Sequence, residues 1–185
     1  MSDSIWESTL AGFRDQLASR DPVPAGVSLA AVSASLALNL LVKVLEITGR
    51  RRDFKGDPER LEELLTAART ESAKLARLAG EDIVAYADYM ASRKSPAEPI
   101  ALRRAIEVPL DAARAAAAGL KLCEEASAIA PSSVAPDVGT AELLLSAAIR
   151  GMLLSVESNA SRLGDTEFQR EIAALTELAK NHQRW

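Results

Sequence analysis

The chain has 185 residues, 26 acidic and 22 basic, for a formal net charge of −4 and a pI near 5.2. Its apolar fraction is 48% but only 4% is aromatic, and 35 alanines make up much of the difference. A single cysteine (Cys123) and a single histidine (His182) exclude a Cys/His zinc site, a disulfide framework and a Cys–His catalytic couple. An acidic balance with few stacking rings also argues against a nucleic-acid surface.

One domain over residues 1–185 is expected at this length, with a core that needs no staples. The start, Met1-Ser2-Asp3-Ser4, has neither the basic nor the apolar region of a secretory signal, so the cytoplasm is the expected compartment. A first helix is predicted over about residues 4–19, where Trp6, Leu10, Phe13 and Leu17 form a stripe at helical spacing. Asp21-Pro22-Val23-Pro24 breaks it. A second helix follows from about Gly26 to Thr48, with Gly49 as its C′ residue. No charge occurs between Pro22 and Val42, nearly a membrane-spanning length. Its prolines, serines, Asn39 and many alanines instead predict a helix buried on all sides in a bundle, with no membrane partner.

Asp57-Pro58 reads as an N-cap followed by proline at the first helical position, opening a long third helix to about Arg93. Leu61, Leu64, Leu65, Ala68, Leu75 and Leu78 face its core side. The fourth helix follows Ser95–Pro99 and carries Leu102, Ile106 and Ala115–Ala118, with Pro109 inside it. After the break at Pro131–Pro136, Asp137 caps a fifth helix from about Val138 to Ser161. Asp165 caps a sixth, striped by Phe168, Ile172, Leu175 and Leu178. The fold class is all-α, a bundle of five or six long helices whose Ala and Ser faces allow close packing within or between subunits. Cys123 is expected to be a small buried side chain and His182 to lie in a frayed tail beside Trp185.

Four stretches carry more than periodicity. They are Pro22-Val23-Pro24-Ala25-Gly26-Val27-Ser28, Gly80-Glu81-Asp82-Ile83-Val84-Ala85-Tyr86, Glu107-Val108-Pro109-Leu110, and Pro136-Asp137-Val138-Gly139-Thr140-Ala141 with Arg150 and Leu154–Asn159 beyond it. In order and spacing the chain resembles, from about Leu10 to its end, the cyclodeaminase/cyclohydrolase family of folate enzymes. These are the C-terminal half of formiminotransferase-cyclodeaminase and the stand-alone methenyl-tetrahydrofolate cyclohydrolases.

The resemblance implies a helical homodimer that binds a small-molecule folate, a tetrahydrofolate derivative serving as substrate, with no metal. The implied reaction is hydrolysis of methenyl- to formyl-tetrahydrofolate, or closure of formimino-tetrahydrofolate with release of ammonia. The lack of a formiminotransferase half favours the first. By the same carry-over Asp82 is the general acid/base, Gly26 and Ser28 seat the folate, and Asp137 and Asn159 orient it. Arg50, in Arg50-Arg51-Arg52, would meet the glutamate tail; the plainer reading is an exposed cation at a helix end. Tyr86 and Tyr89 are three apart and could stack on a pterin, with core packing as the plainer reading. Several positions depart from the family pattern. Ala25 and Val27 replace glycines, Glu46 an asparagine, Pro131 and Ser133 two asparagines, Pro136 a serine and Ser155 an asparagine. They leave an alternative: a degenerate member acting as a ligand-binding or accessory subunit, with a heteromeric partner.

Overall fold

The computed structural model describes residues 4–160 and 166–182. Six α-helices run in the order α1 (Leu10–Leu17), α2 (Gly26–Gly49), α3 (Pro58–Ser92), α4 (Glu98–Ile129), α5 (Ala135–Ala160) and α6 (Thr166–Asn181). Helices α2 to α5 form a ring in which each packs against the next and α5 returns to α2. Neighbours are antiparallel, as cross-contacts show. Ser28 and Ser35 of α2 meet Asp82 and Ser72 of α3, and Arg60 and Asp88 of α3 meet Glu125 and Arg104 of α4. This is the up-and-down bundle that short connections favour.

The local chemistry explains most boundaries. Asp57 caps α3 by accepting from the Glu59 amide at 2.9 Å, and Pro58 follows it at the first turn. The first helix is shorter than its stripe predicts. Thr9 accepts from the Gly12 amide at 3.0 Å and so starts α1 at Leu10. Residues upstream turn instead, and the Trp6 indole donates to the Ala76 carbonyl of α3 at 2.8 Å. Gly49 is not a left-handed C′ residue but the last residue of α2, followed by Arg50 in right-handed conformation. Its lack of a side chain serves packing: a Cβ there would stand 2.6 Å from the Leu61 Cδ2.

The core is aliphatic and built on small residues, with Ala31, Ala34, Ala113 and Ala116 beside Leu38, Leu41, Leu110, Leu145 and Ile149. Gly119 lets α4 approach α2 and α5, since a Cβ there would meet Leu38 Cδ2 at 2.9 Å and Leu145 Cδ1 at 3.2 Å. Between α2 and α3 lies a small polar knot. Ser35 donates to the Ser72 carbonyl at 3.0 Å, Ser72 to the Ser35 carbonyl at 3.1 Å, and the Asn39 amide to Ser72 Oγ at 2.7 Å.

Helix α6 closes one side. Ser146 of α5 donates to the Ala179 carbonyl at 2.6 Å, and Arg114 of α4 forks onto Glu171 with both bonds at 2.5 Å. His182 does not lie in a frayed tail. It is buried, its Nδ1 is 2.9 Å from the Leu178 carbonyl, and its Nε2 is 3.4 Å from Glu124 without hydrogen-bond alignment. Cys123 is fully buried, and burial pushes its thiol up to about 12, with Glu142 adding to the effect. Asp165, Ser161 and Trp185 lie outside the described residues.

By length and composition α2 and α5 could each cross a membrane, yet 61% and 56% of those apolar stretches are buried in the protein. What stays exposed is a row on each: Leu29, Leu36 and Ile47 on α2, and Leu143, Leu144 and Leu154 on α5. The two helices are packed neighbours, and Gly151 of α5 faces Ala30 of α2.

Candidate functional site

The antiparallel ring brings the start of α2 beside the ends of α3 and α5. There the turn at Pro22–Val27, Asp82 and Tyr86 of α3, Ala105 and Pro109 of α4, and Ser155 and Asn159 of α5 line a cavity of about 240 Å³. Three of the four family-like stretches meet in it, with the C-terminal part of the fourth. Ala25 holds the N-cap position of α2 in extended conformation, without a side-chain bond to the first turn. The opening amides of α2 are therefore uncapped by any side chain beside Gly26, where a ligand can approach closely. Pro109 offers no N–H to Ala105 one turn earlier, so this wall holds a carbonyl without its usual helical donor.

Asp82 is the titratable centre. Burial in this apolar surrounding pushes its carboxyl up from 3.8 to about 6, and a hydrogen bond from Ser28 at 3.0 Å pulls in the other direction. Desolvation is the larger effect. Glu81, one residue away, pairs with Arg77 on its own helix and does not share the cavity. Asp82 is thus a single carboxyl poised near neutrality, able to accept a proton and return it.

The two glycine replacements leave the cavity open. Ala25 sits at φ −133°, a conformation any residue adopts, and Val27 is turned mostly into the core while forming part of the wall. Tyr86 lines the cavity and Tyr89 packs in the core, so the two tyrosines divide the roles open to the pair.

The remaining sequence candidates are not all brought together. Gly26, Asp82 and Asn159 line the cavity; Ser28 lies behind it, fully buried, with its hydroxyl committed to Asp82. Arg50 stands at the far end of α2, about 36 Å along the helix from Gly26, where Glu46 pairs with both Arg50 and Arg69. Asp137 is in the first turn of α5, about 33 Å from Asn159 along that helix. Residues the sequence reading did not assign, Val23, Ala105 and Pro109, complete the wall. Pro109 within a helical stripe and inside a family-like stretch was the available signal for that side.

Two roomier grooves, of 460 and 510 Å³, run along α5 and α6 past Glu157 and Lys180. Among the described residues no cluster of three or more His, Cys, Asp or Glu side chains is placed to hold a metal ion.

The sequence and the fold both resemble known proteins. The chain is 27% identical over 175 residues to the methenyltetrahydrofolate cyclohydrolase of Methylorubrum extorquens, covering 88% of this chain and 84% of that protein. It is 26% identical over 193 aligned positions to the formimidoyltransferase-cyclodeaminase of Mus musculus, covering 96% of this chain but only 36% of that longer protein. The fold is that of formiminotetrahydrofolate cyclodeaminase from Thermotoga maritima, with a TM-score of 0.87 at 24% identity over 97% of this chain and 91% of that one. The model of one family, formiminotransferase-cyclodeaminase, matches residues 9–177. With nearly the whole bundle inside that match, the chain belongs to the formiminotransferase-cyclodeaminase family.

Proposed function

We propose that the chain is a cytoplasmic enzyme of folate one-carbon chemistry, with Asp82 as its general acid/base. It hydrolyses methenyl-tetrahydrofolate to formyl-tetrahydrofolate, or closes formimino-tetrahydrofolate with release of ammonia. The observation that carries this is the lone carboxyl, titrating at about 6, in the wall of a cavity that opens on the α2 turn. Both reactions work on one carbon between two nitrogens. In hydrolysis Asp82 takes a proton from water as the C–O bond forms. It then delivers that proton to the nitrogen whose C–N bond breaks, and the positive charge of the bridge departs as a proton. In closure the second, exocyclic folate nitrogen attacks the formimino carbon and gives up its proton, and the protonated carboxyl serves the departing ammonia.

A cationic bridge beside Asp82 also favours the ionised carboxyl. At 240 Å³ the cavity is smaller than the roughly 300–1,000 Å³ of a site that encloses a whole drug-sized ligand. It suits the ring end of a folate, with Gly26 amides and Asn159 at its edge and the glutamate tail outside. The open approach to Asp82 favours catalysis over an accessory role.

The working form on this reading is a homodimer joined through the exposed leucines of α2 and α5. Leu154 is 70% exposed and Leu36 50%, which water-facing positions of a lone bundle do not call for.

Purified protein should remove methenyl-tetrahydrofolate absorbance or release ammonia from formimino-tetrahydrofolate, and Asp82→Asn should lower the active rate about 10²–10⁴-fold. For hydrolysis, where Asp82 starts as the base, the wild-type kcat/KM should rise with pH through about 6 as Asp82 ionises, then level off. Rates equal to buffer on both substrates would overturn the proposal.

A further inference from the structure

We infer that Ser28 is a positioning residue which pins one oxygen of Asp82 and leaves the other to carry the proton in the cavity. The inference rests on the acid/base reading of Asp82 and refines it, because the resemblance implied that Ser28 itself touches the folate. Three observations argue against direct contact. Ser28 is fully buried, it is absent from the cavity wall, and its hydroxyl donates to Asp82 Oδ2 at 3.0 Å.

The carboxyl has no other hydrogen bond among the described residues, so Oδ1 is the oxygen left for substrate. A hydroxyl that donates to Oδ2 keeps that bond in both states, stronger to the carboxylate and weaker to the carbonyl-like oxygen of the acid protonated on Oδ1. Protonation on Oδ2 would force Ser28 to accept, and its own hydrogen would lose its acceptor in a fully buried position. Ser28 therefore keeps the proton on the cavity side in both directions of transfer. Its place in the first turn of a buried helix holds it rigidly for this task.

Other charges near Asp82 are engaged elsewhere. On α3, Glu81 pairs with Arg77 and Asp88 with Arg104 of α4; Glu107 of α4 pairs with Arg103. The α2 turn and first three turns carry no charged residue, and Glu157 of α5 faces the outer groove. Among the described residues Tyr86 is the only other titratable side chain in the wall.

The test is a ¹³C-carboxyl NMR titration of aspartate-labelled wild type, Ser28→Ala and Ser28→Thr, with the Asp82 signal assigned through Asp82→Asn. Circular dichroism checks that each variant is folded. In Ser28→Ala, Asp82 should titrate above its wild-type value of about 6, and Thr should restore it. The acid limb of kcat should move up in parallel while KM stays within about twofold. An unmoved Asp82 titration in folded Ser28→Ala would overturn the inference. So would a raised KM with an unmoved acid limb, the signature of direct substrate contact. Should the wild type turn over neither folate, the enzyme reading fails, while the titration still decides the Ser28–Asp82 link.

Discussion

At the scale of a residue, burial of Asp82 sets its charge against the stability of the fold. A carboxyl that titrates at about 6 in the folded chain and at 3.8 when free holds its proton more tightly in the native state. Its contribution to stability is therefore greatest below the unfolded value and is lost as pH rises from 3.8 through about 6. Asp82→Asn removes the desolvated charge and keeps an acceptor for Ser28. In urea denaturation the variant should exceed wild type by up to about 3 kcal/mol at pH about 8, and nearly match it at pH about 4. A variant less stable at both pH values would show that the carboxylate is not strained by burial. The sequence marked this aspartate only through its place in a family-like stretch. Nothing in Glu81-Asp82 by itself says which of two adjacent carboxyls is buried, since that depends on the phase of α3 against α2. Val27 teaches the same lesson. It stands in place of a family glycine at the cavity, but the phase of α2 turns much of its bulk into the core.

At the scale of an element, signals carried by neighbours in sequence were legible and those carried by neighbours in space were not. Asp57-Pro58 marked the start of α3 because cap and proline act within one turn. Gly49 and the stripe around Trp6 misled, since what decides them is Leu61 and Ala76 of another helix. Arg50 and Asp137 could not be separated from the site by spacing along the chain, because an antiparallel ring sends opposite ends of α2 and α5 to opposite ends of the bundle. Gly119 tests the closeness of that ring. Leu38 and Leu145, the side chains a new Cβ would meet, are fully buried and have nowhere to retreat. Gly119→Val should cost about 2 kcal/mol in urea denaturation despite replacing a poor helix former. A neutral result would mean that α4 can move outward freely.

At the scale of the molecule, the alanine excess and the two membrane-length helices have one explanation. Small residues let α2 and α5 pack closely inside the bundle, and in the proposed dimer their exposed leucines meet a second copy. On this reading wild type should sediment as a dimer, and the double variant Leu36→Glu/Leu154→Glu as a monomer with its helix content retained. A monomeric wild type would sink the proposed interface. Interfaces made of alanine also carry a hazard that the knot of Ser35, Asn39 and Ser72 answers. Smooth, nearly uniform surfaces can slide past each other by a turn at little cost in apolar contact, and directional polar bonds are what make one alignment unique. Slipped by one turn, α3 would present Leu78 or Tyr86 to Ser28 in place of Asp82. The knot lies about 15 Å from Asp82 along α3, and it acts as a detent: a chain that lost it could stay helical and compact while the Asp82 carboxyl sat one notch out of line.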